Sequence, residues 1–212
     1  MQELVPGIWH WSAFHPGIRQ PVSSYYVESA GAILDPMVPA EGLEWFERRP
    51  QLPVQVLLTN RHHYRHSDRF AQAFGCPVLC SRAGLHEFEG GPAVEGFSFG
   101  DELAPGVAAI EIGAICPDDT ALHIAAERGA VGFADGLIRP AGGPLGFVPD
   151  KLLGDDPGVV KAALKDAFRG LLERDFDHLL FAHGEPLVGG GKAALRDFLD
   201  KPVGEPDFGS TA

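Results

Sequence analysis

Three apolar stretches of this sequence each run into a residue that can ligate a metal ion. Leu57-Leu58-Thr59 leads to His62, Val131-Gly132-Phe133-Ala134 to Asp135, and Leu179-Leu180-Phe181-Ala182 to His183. Short apolar runs bounded by turn residues read as buried strands. If these strands end along one edge of a layered fold, two imidazoles and a carboxylate converge there. That donor set suits a single divalent ion, and imidazole favours Zn or Fe. Taken singly, each residue would read as a cap or turn residue; the threefold recurrence is what points to a site. His63 and His66 read as exposed residues at a helix start, yet a small local shift would let either add a fourth donor. Cys116 offers a thiolate if its loop slides by one residue, and otherwise reads as a small buried hydrophobe. Cys76 and Cys80 read as core residues, since Cys-x-x-x-Cys in a strand lacks the turn that zinc sites use.

The elements that must position these residues are mostly short strands. Val5–Trp11, Val22–Glu28 and Ala30–Leu34 have strand composition, with turns at Pro6-Gly7 and Asp35-Pro36. Val54–Leu58 is a continuous apolar run, and a helix over Ser67–Phe74 is closed by Gly75. Cys76–Cys80, Val107–Ile112, Thr120–Ala125 and Ala130–Ala134 add further strands. Residues 39–48 have a helical pattern stopped by Pro50. A Gly/Pro-rich loop covers 139–156, and a loop of that length is often functional. The clearest helix starts at Asp156, with Pro157 at its first position and Val160, Leu164, Phe168 and Leu171 on one face. A strand over His178–Ala182 and a helix over Lys192–Leu199 follow. The expected domain spans residues 1–201, with a tail over 202–212.

With this order of parts, an apolar strand with Thr-x-x-His, then Phe-Ala-Asp-Gly, then Phe-Ala-His-Gly, the chain resembles the metallo-β-lactamase superfamily over residues 4–200. Gly31-Ala-Ile-Leu-Asp-Pro36 is similar to the family's strand that ends in an Asp near the site. The resemblance implies an α+β fold, an αββα sandwich of two packed mixed sheets with helices on the outer faces. It also implies a metal site along one edge of the sheets.

Aligned on Thr59, the family's His-x-His-x-Asp-His motif falls on Asn60, His62, Tyr64 and Arg65. The family's next His falls on Ile115; Asp135 matches the bridging Asp and His183 the final His. Three of seven ligand positions survive, so neither of the family's two metal sites is complete. Tyr64 replaces the carboxylate that would orient the attacking water, and a phenol is a poor base at neutral pH. Arg65 stands where a metal ligand would, and its guanidinium is expected to pair with Asp135, with Arg61 and Arg139 as further candidates.

The chain has 17 Lys and Arg against 29 Asp and Glu, a formal charge of −12. That disfavours binding to nucleic acid or an anionic membrane, since both are polyanions. No apolar run approaches a membrane span, and the N-terminus lacks the layout of a signal peptide. With three cysteines the expected compartment is the reducing cytoplasm. The glycine pairs lack the Lys-Ser/Thr of a phosphate loop, and there is no Gly-x-Ser-x-Gly elbow. The first expectation is a relative with an eroded dinuclear site that holds no metal and is not a competent dinuclear hydrolase: either non-catalytic, binding a small molecule in the old cleft, or catalytic by an unfamiliar route. The alternative is a hydrolase of small esters, thioesters or lactones with one Zn or Fe ion on His62, Asp135 and His183. A structural or partner-binding role, as a homodimer, is the third.

Overall fold

The computed structural model describes residues 1–202. The tail expected over 202–212 lies, beyond Pro202, outside the described residues. Twelve strands form two sheets. The first takes β1 (Gln2–Val5), β2 (Ile8–His15), β3 (Gln20–Val27), β4 (Ala32–Leu34), β5 (Gln55–Leu57), β6 (Val78–Ser81) and β7 (Glu95–Phe97) in sequence order. Its first four strands are antiparallel and the rest are parallel. The second sheet runs β12 (His178–Phe181), β11 (Ala130–Phe133), β10 (Thr120–Ile124), β9 (Val107–Glu111) and β8 (Glu102–Ala104). Only its β11–β12 pair is parallel.

Alternation along the strands sorts the apolar side chains into layers. Tyr25, Leu34 and Leu57 of the first sheet meet Val107, Leu122, Ala130 and Leu180 of the second in a central core. Their neighbours Tyr26, Ile33, Val56 and Leu58 face outward and pack with Phe46 of α1 (Glu44–Glu47) and Phe70 of α2 (Ser67–Phe74). On the far side Val131, Phe133, Leu179 and Phe181 pack against Leu164, Phe168 and Leu171 of α3 (Pro157–Leu171) and Leu195 and Phe198 of α4 (Gly191–Asp200). Three apolar layers separate helices, sheet, sheet and helices, which is the αββα sandwich.

α3 begins as its sequence requires. The Asp156 carboxylate accepts a hydrogen bond from the Val159 N–H at 3.1 Å, and Pro157 follows at the first helical position. The helical pattern over 39–48 is realised only in the four residues of α1. Gly42, with φ +76°, donates its N–H to the Pro39 carbonyl in a turn that takes up the first part of the segment. The loop over 139–156 is not wholly irregular, since Ile138 and Gly146 bridge and Asp150–Leu152 forms a 3₁₀ turn. Cys76 and Cys80 are buried and unpaired, as their apolar surroundings imply. Among the described residues no helix is long and apolar enough to cross a membrane.

Candidate metal centre

Beyond β5 the chain passes Leu58 and Thr59 and then turns. Asn60 is extended, and its Oδ1 accepts the His62 N–H at 2.9 Å, capping a single 3₁₀ turn over Arg61–His63. That turn decides which imidazole faces inward. His62 is exposed, whereas His63 is 4% exposed and directed at the sheet edge. The histidine brought to the sheet edge is therefore His63 and not the expected His62, and His63 is a buried residue, not an exposed one. A capping Asn two residues before His62 was the sequence signal for this turn.

His63 is held from behind. Asp35, just after β4, accepts the Thr59 N–H at 2.8 Å, the Thr59 hydroxyl at 2.6 Å and His63 Nδ1 at 3.0 Å. With the Nδ1 proton given to Asp35, Nε2 is left to face the site. There it lies 3.3 Å from Asp135 Oδ1 and 3.4 Å from His183 Nε2, and His183 Nε2 lies 3.0 Å from the same Asp135 oxygen. Asp135 Oδ2 accepts Asn60 Nδ2 at 2.8 Å, which fixes the carboxylate plane. His183 is placed by Gly184, whose φ is +107° and where an added Cβ would meet the Arg139 carbonyl oxygen at 2.0 Å. The donor atoms of His63, Asp135 and His183 all lie within 4.8 Å of one another.

The charges are coupled. Burial opposes a proton on His63, but Asp35 and Asp135 outweigh it and lift the imidazole to about 9. Burial also opposes charge on Asp135, yet His63 and the hydrogen bonds from both histidines hold it well below the usual carboxylate range. Asp119 is the opposite case. It is 2% exposed, its Oδ2 has no hydrogen-bond partner among the described residues, and burial together with the Asp135 charge pushes it up to about 8. The sequence reading did not single out Asp119.

The remaining expected site residues have other duties. Arg65 does not pair with Asp135. Its Nη1 donates to the carbonyls of Ser23 and Asp35, both at 2.7 Å, and Nη2 to that of Ala182 at 3.4 Å. Arg65 takes φ +47°, and the guanidinium clips the two sheets together through backbone oxygens. Arg61 is bound to Asp118 through its backbone N–H at 2.7 Å and through Nη1, and Arg139 donates to the Pro186 carbonyl at 3.0 Å. Buried carbonyls and a fully buried Asp118 need donors more than Asp135 does, because two imidazoles and Asn60 already serve it. Tyr64 meets Phe88 in the outer core with ring centroids 5.7 Å apart and the planes tilted by 47°, and His66 Nδ1 accepts the Val38 N–H at 3.0 Å. Ile115 packs against the α3 layer. Cys116 is only half-buried and lies outside the clustered donors, and burial with the nearby Asp118 and Asp119 pushes its thiol up to about 12.

This architecture is found among solved structures. TTHA1623 in a di-iron-bound form superposes with a TM-score of 0.64 at 21% identity, over 86% of this chain and 96% of that one. A metallo-β-lactamase from Erythrobacter litoralis, with β-mercaptoethanol in its active site, gives 0.67 at 19% identity, over 94% and 93%. The metallo-β-lactamase family protein TTHA1429 from Thermus thermophilus gives 0.64 at 13%, over 93% and 79%. The chain has the metallo-β-lactamase fold. No protein-family model and no curated protein sequence matches it. In this metallo-β-lactamase fold, the three clustered donors sit just past the ends of β5, β11 and β12.

Proposed function

We propose that the chain is a single-metal relative of the dinuclear hydrolases, acting on small esters, thioesters or lactones with His63, Asp135 and His183 as ligands. The spacing of the donor atoms carries this reading. A tetrahedral ion with bonds of about 2.0–2.2 Å separates its ligands by about 3.3 Å, and the three donors here are 3.0, 3.3 and 3.4 Å apart. The triangle is already the size of one face of such a tetrahedron, and among the described residues no fourth donor joins the group. A bound divalent ion would polarise a carbonyl and make water nucleophilic near neutral pH.

The chain's own residues supply orientation. Asp35 fixes the His63 tautomer, and Asn60 holds one oxygen of Asp135 so that the other faces inward. Arg65, a buried cation in the sequence position of a family ligand, disfavours a second ion by repulsion and leaves that site eroded. With Tyr64 turned to the core and His62 exposed, neither protonates a leaving group, which restricts substrates to those that need little help there. The acidic surface argues against polyanionic substrates, and three unpaired thiols fit a reducing compartment.

A second reading has one observation in its favour. The His63–Asp135–His183 contacts are also hydrogen-bond distances, so a proton can take the place of an ion and leave a metal-free small-molecule site. Elemental analysis of the purified chain and two variants separates the readings. One equivalent of Zn or Fe, lost in His63→Ala and kept in His62→Ala, is expected. A folded protein that takes up no metal after supplementation would favour the second reading.

A further inference from the structure

We propose that Asp119 orients the attacking water, the task that Tyr64 leaves vacant; this rests on the single-metal reading. Asp119 precedes β10. The β10–β11 register pairs Leu122 with Gly132, and continued three residues beyond that pair it sets Asp119 opposite Asp135. Ala121 and Phe133 lie two residues inside these positions and share the α3 side of the sheet, so the two carboxylates share it as well. The next residue, Gly136, makes room: a Cβ there would lie 3.5 Å from Asp119 Oδ2 and 2.7 Å from Leu164 Cδ2. The Asp119 carboxyl thus lies beside Gly136 and the apolar face of α3, close enough for the charges of Asp135 and His63 to act on it.

A buried carboxyl oxygen without a donor, as Asp119 Oδ2 is among the described residues, costs stability unless something completes it. Asp118, its neighbour, shows the contrast, bound to both the backbone and the guanidinium of Arg61. Asp119 is outside the set of donors that lie within 4.8 Å of one another, so the role assigned to it is not that of a fourth ligand but of a hydrogen-bond acceptor for a water at the site. The acceptor is the ionised carboxylate, the form a bound cation favours, and accepting the hydrogen bond aims a lone pair of the water at the substrate carbonyl. Asp119 takes the water's proton as the new C–O bond forms and the carbonyl π pair moves onto oxygen, and it returns that proton to the alkoxide or thiolate that leaves when the carbonyl reforms.

The test compares the full chain with Asp119→Asn, which preserves shape and removes the charge. Zinc affinity is measured by chelator competition, and hydrolysis with 4-nitrophenyl acetate. Asp119→Asn is expected to keep the ion but bind it about 10-fold more weakly. Its kcat should fall about 100-fold at unchanged KM, and its metal-free form should melt no lower than wild type, since an unpartnered acid has been removed. Unchanged zinc affinity and unchanged kcat would overturn the proposal, as would a variant that loses zinc and activity because its metal-free form melts lower. Failure of the wild type itself to bind zinc would instead sink the single-metal reading beneath it.

Discussion

His63 touches two carboxylates at once, Asp35 through Nδ1 and Asp135 through Nε2, and its proton is therefore linked to stability. The imidazole titrates near 9 in the folded chain against 6.5 when free. A raised pKa adds stability that is complete below about pH 6.5 and is lost as pH rises through about 9. Asp119 acts in the same direction: it keeps its proton up to about 8 when folded, so its cost grows as pH rises from the ordinary carboxylate range to that value. Urea melts of metal-free protein at pH 6 and pH 9 should show lower stability at pH 9, with a smaller difference in His63→Ala. Stability that rises over this interval would contradict the assignment. With metal present the difference should shrink, because an ion then stands where the proton was. Asp35→Asn should weaken metal binding by about 10- to 100-fold in the same competition assay, since it loosens His63 without removing it. At this scale the sequence was partly legible. Asp135 and His183 follow strands whose apolar runs are unmistakable. His63 was masked because a 3₁₀ turn, capped by Asn60, rotates the chain by about 120° per residue and exchanges the faces of adjacent histidines. Asp119 was masked because an acid before a strand looks like any turn residue until its lack of a partner is seen.

Each donor is delivered by the end of a strand, and the local backbone there is set by few residues. Gly184 is the most constrained, with φ +107° and the Arg139 backbone against its α-carbon. Gly184→Ala should cost about 1–3 kcal/mol from the conformation alone, with the clash added, and should displace His183. Denaturation midpoint and metal content should fall together. By contrast, Asp156→Ala removes only the α3 cap and should cost about 1 kcal/mol, with metal content unchanged. A loss of metal in that variant would show that α3 and the centre are more tightly coupled than their contacts imply. Elements with strong boundary residues were readable: Asp156-Pro157 opened α3, and Gly75, with φ +67°, closed α2. Those with weak boundaries were not. β7 and β8 are three residues each, carry Glu95 and Glu102 at their starts, and owe their existence to neighbouring strands rather than to an apolar run.

Over the whole molecule, three apolar layers hold two sheets at the separation that brings β5, β11 and β12 to one edge. Phe168 is fully buried on α3 and meets Phe133 at 5.4 Å, one turn from Leu164 beside Gly136. Phe168→Ala should cost about 3–5 kcal/mol and release the α3 side of the centre. The layered fold was legible because the apolar strands and the motifs after them follow the order of the family the chain resembles; in the folded chain, strand geometry then sorts Tyr25 from Tyr26, Leu34 from Ile33 and Leu57 from Val56 and Leu58 into one core or the next. The use of the arginines was not legible, because the carbonyls that bind Arg65 come from Ser23, Asp35 and Ala182, which meet only in the folded chain. The central proposal, one ion where the di-iron form of TTHA1623 holds two, is tested most directly by anomalous diffraction from metal-loaded crystals of the full chain. A single peak bounded by His63 Nε2, His183 Nε2 and Asp135 Oδ1 is predicted. A pair of peaks, or one seated on His62, would contradict it.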